Sequence, residues 1–505
     1  MATSEPPLID FFLVVGISEG RLAQACHTRG EDVVFSERLS GGGEVLCRCQ
    51  ADDTDGFQLN VATLPLFCFP QELLLVRDPL PPTSHSFVLT KGDGGSVFGF
   101  VHTFYERFVQ LLDPATPTDE LFHGYVPKCL VVLSRWPLFT SLPRYLEQLL
   151  SYSRTTDALN RVPVECFISQ LCYEIPVPQP GGPIVVFGLP QPSEEARGHL
   201  GQPQGQQQAG EGADGLLVKV ASEEESRARA ESVRAASQAE KALFEPIVLR
   251  RPPSADFPWL ELNLGMLFRR LSPKNVIAVF RFLLFERRVI LVSSSLSLLT
   301  PLAEIFTRLL FPLDWQHVFI PLLAQRLSHF LEAPMPYLVG LERTLLDTVV
   351  LPGDSVVVDL DNDEILVLED SLPPIPEQEG RILTEALCQL AADYQEVLSC
   401  QNGQGGLVFA LADSTEKELT KGVRMAFLDF FAALLLEYES YLLVHEQART
   451  SARSSPDLDP SANTNATLPS VVQQDDSIEF VSPILFSLKN KTNNYQQNNI
   501  FRYCC

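Results

Sequence analysis

Apolar and polar positions divide the chain into blocks with different periods. Residues 9–15 (IDFFLVV) form an apolar run of strand length. Residues 87–90 and 97–101 are two more short apolar runs flanking Lys91-Gly92-Asp93-Gly94-Gly95. That pattern predicts a β-hairpin, because glycines supply the positive φ its turn requires. Residues 128–134 (KCLVVLS) predict a buried strand leading into a helix over 142–153. Pro143 falls in the first turn of that helix, where a missing N–H is tolerated. A second helix starts at Pro163 and places Val164, Phe167, Ile168 and Leu171 at i, i+3, i+4 and i+7. Residues 184–187 predict a closing strand, so 9–188 reads as a mixed α/β unit with an antiparallel sheet.

The next apolar block, 244–370, alternates more regularly. Ser272-Pro273 opens a helix whose Val276, Ile277, Val279, Phe280, Leu283 and Leu284 cover one wide face. Strands are predicted at 288–292, 318–320, 337–340 and 356–360, and helices at 296–310, 324–331 and 342–349. Strands separated by helices at this spacing imply parallel pairing with right-handed crossovers. The expectation is a doubly wound, mostly parallel sheet covered on both faces. Residues 381–399 and 416–443 predict helices only, within a helical segment 381–447. Between the blocks, 189–243 is rich in Gln, Gly, Pro, Ala and Glu, and 451–505 is polar and Asn/Gln-rich. Both predict disorder, because neither can bury enough apolar area to offset its ordering entropy.

Composition narrows the function classes. The 505 residues carry 38 Lys+Arg against 63 Asp+Glu, a formal net charge of −25. A chain this acidic is a poor match for nucleic acid, or for anionic membrane approached by its own charge. Eleven cysteines lie scattered, with Cys47 and Cys49 as a C-x-C and Cys166 and Cys172 six apart. No paired Cys/His array suggests zinc, and no metal or cofactor is expected. The N-terminus has no positive n-region and no apolar run reaches the ~18 residues that span a bilayer. The expectation is a cytoplasmic protein with reduced thiols, in which the Asn465 sequon has no role.

Catalytic motifs are missing. There is no phosphate-binding G-x-x-x-x-G-K-[ST], no G-x-S-x-G elbow, no kinase signature and no H-E-x-x-H. His317 precedes a buried strand without a nucleophile signature and reads as structural. Asp359, Asp361, Asn362, Asp363 and Glu364 form an acidic cluster after a strand. It reads either as a metal or acid/base site or, in preference, as a turn with Asx hydrogen bonds. Glu286-Arg287-Arg288 at a helix end fits cations complementing the helix dipole.

The second block resembles the central segment of the DENN module. The resemblance rests on Phe257-Pro258-Trp259, on FERRVILVSS (285–294), FPLDWQHVFIPLL (311–323), APMPYLVG (333–340) and VVVDLDNDEI (356–365). LPLFCFP (64–70), SFVLTKGDGGSVFGF (86–100), KCLVVLSRWPLF (128–139) and YEIPVPQPG (173–181) are similar to the upstream segment. VRMAFLDFFAALLLEYESYLL (423–443) is similar to the start of the downstream one, which is shortened because the chain turns polar after Thr450. The resemblance implies a longin-like N-terminal lobe, a second lobe built on the doubly wound sheet, and an appended helical segment. It implies guanine-nucleotide exchange on a Rab-family small GTPase, with recruitment through partners to endosomal or Golgi/vesicle membranes.

Exchange needs no covalent chemistry. It needs a partner surface above roughly 1,200 Å² and ~5 kcal/mol of differential affinity to empty the nucleotide site. Ligands of open α/β sheets meet the carboxyl ends of the strands. This makes Gly340, Leu341 and Glu342 after one strand, and Asp361 and Asn362 after another, candidate GTPase contacts. Arg288 and Trp315 are runners-up, with a half-buried core role the plainer reading of Trp315. A scaffold that binds without opening the GTPase shares every one of these motifs; an activating subunit with an arginine finger would need an exposed loop arginine, for which Arg154 or Arg161 would serve although nothing in the sequence marks either. The terminal Cys504-Cys505 resembles a prenylation end but reads as chance, since stable anchoring usually takes two signals.

Overall fold

The computed structural model describes residues 7–22, 38–39, 42–49, 60–91, 94–111, 121–154, 162–190, 243–254, 256–367, 372–401 and 408–436. The expectations for 191–242, for the tail, for Arg161, for Asn465 and for Cys504-Cys505 lie outside the described residues.

The first half runs β1 (Phe11–Gly16), β2 (Arg38–Leu39), β3 (Glu44–Cys49), α1 (Leu64–Cys68), β4 (Leu73–Leu74), β5 (Thr83–Thr90), β6 (Ser96–Leu111), β7 (Leu121–Ser134), α2 (Ser141–Arg154), α3 (Val164–Tyr173) and β8 (Val185–Phe187). Five of these strands form one sheet in the order β3-β1-β7-β6-β5, antiparallel throughout. The expected hairpin is β5–β6, with Phe87 opposite Gly99. A Cβ on Gly99 would stand 2.2 Å from the Phe87 ring, so only glycine leaves that ring its place. Leu142, Tyr145, Leu146 and Leu149 bury one face of α2, and the Tyr145 hydroxyl donates to the Phe167 carbonyl of α3 at 2.9 Å.

β6 and β7 extend well past the apolar runs that announced them. Their pairing continues to Leu111↔Leu121 through Glu106 and Arg107. Hairpin hydrogen bonds and a Glu106–Lys128 ion pair hold the ribbon where no apolar alternation does. β3 was not expected at all. It is an edge strand whose Leu46 and Cys47 are exposed, so its sequence carries little periodicity.

The second half runs β9 (Ile247–Leu249), α4 (Gly265–Arg270), α5 (Pro273–Leu284), β10 (Val289–Ser293), α6 (Leu296–Leu309), β11 (Val318–Ile320), β12 (Tyr337–Glu342), β13 (Val356–Asp359), β14 (Glu364–Val367), α7 (Glu377–Gln401) and α8 (Val408–Leu434). β9 pairs with β8, tying the halves together. The second sheet has the order β11-β12-β10-β13-β14; its first four strands are parallel and β14 turns back antiparallel. Val289, Leu291, Val356 and Val358 face the core shared with α5 and α6. Ile290, Val292, Val339 and Leu341 face the opposite way, against Leu331 and Leu345.

That opposite face corrects an expectation. The segments read as helices over 324–331 and 342–349 are 3-10 turns, Gln325–Glu332 and Arg343–Leu345. Their bonds run i to i+3, as in Leu327 N to Ala324 O at 2.9 Å and Thr348 N to Leu345 O at 2.9 Å. A short segment that needs only one or two apolar contacts takes this tighter form.

The FERR segment has a physical explanation beyond its charges. α5 ends with Glu286 at φ 54°, in the left-handed region. Glu286 N donates to Leu283 O at 3.0 Å and Arg287 N to Phe282 O at 2.9 Å. These two bonds form a Schellman cap, with glutamate where glycine is usual. The cap turns the chain so that β10 starts three residues later.

α7 and α8 pack as a pair against α4 and α5. The Phe280 ring of α5 meets Phe427, Phe430 and Phe431 at 4.7, 5.6 and 5.8 Å. The expected helices 381–399 and 416–443 therefore exist, the second shifted toward the N-terminus; 437–443 lies outside the described residues. No helix of the described residues is long and apolar enough to cross a membrane.

Candidate functional site

The second sheet reverses its winding around β10. The chain goes out to β11, returns through β12, then crosses to β13 on the other side. Carboxyl ends on either side of such a reversal splay apart and leave a crevice. Ser293, Glu342 and Asp359 close β10, β12 and β13 there.

Their side chains form one polar network. Asp361 accepts from Ser293 Oγ at 2.8 Å, from Ser294 N at 2.7 Å and from Ser294 Oγ at 2.9 Å. Arg343 donates from Nε to Asp361 at 2.9 Å and also pairs with Asp359. Asp359 in turn accepts from the backbone N–H groups of Asp361 and Asn362 at 2.9 and 3.1 Å, and from Asn362 Nδ2 at 2.9 Å. This is an Asx turn, as preferred from the sequence. Burial alone would raise both carboxylates. For Asp359 the bonds from Arg343 and Asn362 outweigh it, and for Asp361 those from Ser294, Ser293 and Arg343, so both sit below the usual range. Arg343 is held more firmly protonated by its two partners.

Asp363, at φ 54°, turns away from this network. It accepts from Ser272 N at 2.9 Å and Asn275 Nδ2 at 2.8 Å, and so holds the start of α5. Ser272 makes no side-chain cap of its own; Asp363, in the turn between β13 and β14, instead accepts from the N–H of this N-cap residue. Among the described residues no group of three His, Cys, Asp or Glu is set to hold a metal ion.

The sequence candidates thus divide. Gly340, Leu341, Glu342, Asp361 and Asn362 are brought together at the carboxyl ends. Gly340 and Leu341 are buried, however, and offer no side chain outward. A Cβ on Gly340 would stand 1.9 Å from the Pro321 carbonyl oxygen, so its role is to let that loop close on β12. Glu342 is buried and accepts from Thr344 N at 3.0 Å. Asn362 is exposed and Asp361 partly so. Arg288 and Trp315 lie at the other end of the sheet. Arg288 pairs with Asp354 and donates to Ala333 O at 3.2 Å, while half-buried Trp315 donates from Nε1 to Val318 O at 3.2 Å. Arg154, at the exposed end of α2, stacks 5.5 Å over the Phe104 ring.

Sequence reasoning missed Arg343, the cation that organises the cluster. An arginine just after a strand, with two aspartates two residues apart further on, carries no local signature. It also missed that the first half reaches this edge. Gln71 Nε2 donates to Thr344 Oγ1 at 3.3 Å, Arg326 pairs with Glu72 at 3.2 Å, and Gln325 N donates to Pro70 O at 3.0 Å. The 70–72 turn therefore borders the strand ends. A groove of about 700 Å³ opens elsewhere along the seam, lined by Phe139, Pro143, Leu262, Met266, Leu298 and Pro301 among others. Beside it, Glu261 of the second half accepts from Ser141 N at 2.9 Å and closes the N-terminus of α2.

The sequence matches the DENN (AEX-3) domain over residues 125–213 and 228–363, and the uDENN domain over 43–104. It is also 26% identical over 366 residues to the DENN domain and WD repeat-containing protein SCD1 of Arabidopsis thaliana. That alignment covers 72% of this chain and 26% of the plant protein, so the chain spans about a quarter of its relative's length.

Proposed function

Because the chain belongs to the DENN-domain family, we propose that it regulates a Rab-family small GTPase, acting as a guanine-nucleotide exchange factor that promotes GDP release. The observation that carries this reading is the edge where the strand-end network of the second sheet meets the 70–72 turn of the first half. A partner seated there touches both halves at once. That suits the standard-sized interface an exchange factor needs to hold a nucleotide-free GTPase. The Asp361–Arg343–Asp359 network gives the surface a fixed shape, and Asn362 and Thr344 present it outward.

In this reading the residues 9–188 form a longin-like lobe, which the five-stranded antiparallel sheet with α2 and α3 supports. Residues 189–243 join it to the central domain at 244–370, and 381–447 is the downstream helical segment. The protein works in the cytoplasm and reaches endosomal or Golgi/vesicle membranes through its partners.

Fluorescent-GDP release from a Rab panel, with the full chain added, tests the proposal. At least one Rab should release nucleotide ten-fold faster or more. Asn362→Lys and Thr344→Lys should each remove most of that acceleration while circular dichroism stays native. Binding to a Rab without faster release in any member would replace exchange by the scaffold reading. Full activity in both variants would move the contact surface away from the strand ends.

A further inference from the structure

Two thiols distant in sequence meet at the open edge of the first sheet. Cys49 is the last residue of β3, and Cys172 lies in the last turn of α3. They are 123 positions apart, and their sulfurs stand 3.7 Å from one another. Cys49 pairs across the sheet with Phe12 of β1, and α3 packs on both β1 and β3. Cys172 is buried, whereas Cys49 keeps partial contact with solvent. Cys68 and Cys129, by contrast, are both buried.

We propose that Cys49 and Cys172 form a reversible disulfide that fastens the edge strand β3 to α3. A disulfide requires a sulfur separation of about 2.05 Å. The approach is within reach of side-chain rotation on a strand that, among the described residues, is hydrogen-bonded to a neighbour on one side only. The oxidant is a peroxide. Cys49 is the thiol it meets first, since burial, reinforced by neighbouring Cys49, pushes the Cys172 thiol up to about 12. The Cys49 sulfur attacks one peroxide oxygen, the O–O bond breaks, and water leaves, giving a sulfenic acid. The Cys172 sulfur then attacks the Cys49 sulfur, the S–O bond breaks, and a second water carries away the oxygen. Two thiols and one hydrogen peroxide become one disulfide and two waters, with two electrons passing from sulfur to oxygen. A thiol reductant reverses the step by exchange.

The competing account is that both cysteines only fill space as small apolar side chains. Treating the full chain with one equivalent of hydrogen peroxide at pH 8, then alkylating and mapping peptides without reduction, separates the two. The expected result is a cross-linked peptide joining Cys49 to Cys172. The melting temperature should rise by about 5 °C, because a bond closing so long a span restricts the unfolded chain. Dithiothreitol should reverse both, and Cys49→Ser or Cys172→Val should abolish both. Recovery of Cys172 as a free thiol beside a sulfinic Cys49 would overturn the proposal. So would a bond from Cys49 to Cys47, or the same rise in melting temperature in Cys172→Val.

Discussion

The two five-stranded sheets place their polar side chains differently. In the first, antiparallel sheet the buried polar side chains include neutral histidines. His85 bonds the Phe67 carbonyl at 2.9 Å, and His102 meets Ser84 Oγ at 2.8 Å. Burial, with Arg154 adding at His102, pushes both imidazoles down to about 4. In the second, mostly parallel sheet the polar groups at the strand ends are charged and paired, as Arg343 with Asp359 and Asp361. The difference follows from topology. An antiparallel sheet closes by hairpins along its own chain, so a buried charge there finds its partner locally, as Asp10 before β1 does with Arg135 just past β7 at 2.9 Å. Parallel strands end together where crossovers depart, and the loops gathered there bring side chains from distant positions into one ionic network.

The largest expected effect tests how rigid each sheet is. Gly340→Ala places a methyl 1.9 Å from a backbone oxygen, Gly99→Ala 2.2 Å from the Phe87 ring. A ring at a strand face can tilt, but a carbonyl fixed in a packed loop cannot. Gly340→Ala should cost about 4 kcal/mol or more and Gly99→Ala about 2 kcal/mol by chemical denaturation. Equal costs would mean that the second sheet yields as readily as the first.

The next effect is a pH dependence with opposite signs in two places. His85 and His102 stay neutral in the fold between their ordinary 6.5 and about 4, while the unfolded chain takes up protons. Stability from the first sheet is therefore lost as pH falls through that window, by roughly 2 kcal/mol per histidine at pH 5. Glu304 on α6 behaves the other way. Burial, opposed by Arg308, raises it from 4.5 to about 7, so its contribution is lost as pH rises from 4.5 through 7. Glu304→Gln should be more stable than the parent by about 3 kcal/mol at pH 8 and indistinguishable at pH 4. The variant should also show the steeper acid limb of the histidines, which Glu304 otherwise masks. A parallel shift at all pH values would assign Glu304 a charged state in the fold.

The smallest effect concerns the network itself. Its charges are partly exposed, so Arg343→Ala should cost only about 1 kcal/mol in stability. Asp359 and Asp361 should then titrate closer to the ordinary carboxylate value of 3.8, which NMR titration of the side-chain carboxyls would read. A loss above about 3 kcal/mol would show that the network holds the sheet together and does more than shape its edge.

The chain's own pattern determined the fold class, the order of the main elements and the position of the strand ends. Apolar runs of strand length such as 9–15, 128–134 and 288–292 read as buried strands, and the wide stripe of α5 as a helix face. Elements without an apolar stripe were not legible: β3 at the sheet edge, the polar ends of β6 and β7, and the 3-10 turns behind the second sheet. Their form is set by neighbours that supply hydrogen bonds or a single apolar contact. The candidate site was legible in the same partial way. Strand ends marked Asp361 and Asn362, but only the folded chain showed that Gly340 and Leu341 face inward, that Arg343 neutralises the aspartates, and that the 70–72 turn shares the edge. Each of these depends on residues tens to hundreds of positions apart, and distance in sequence leaves no periodicity to read.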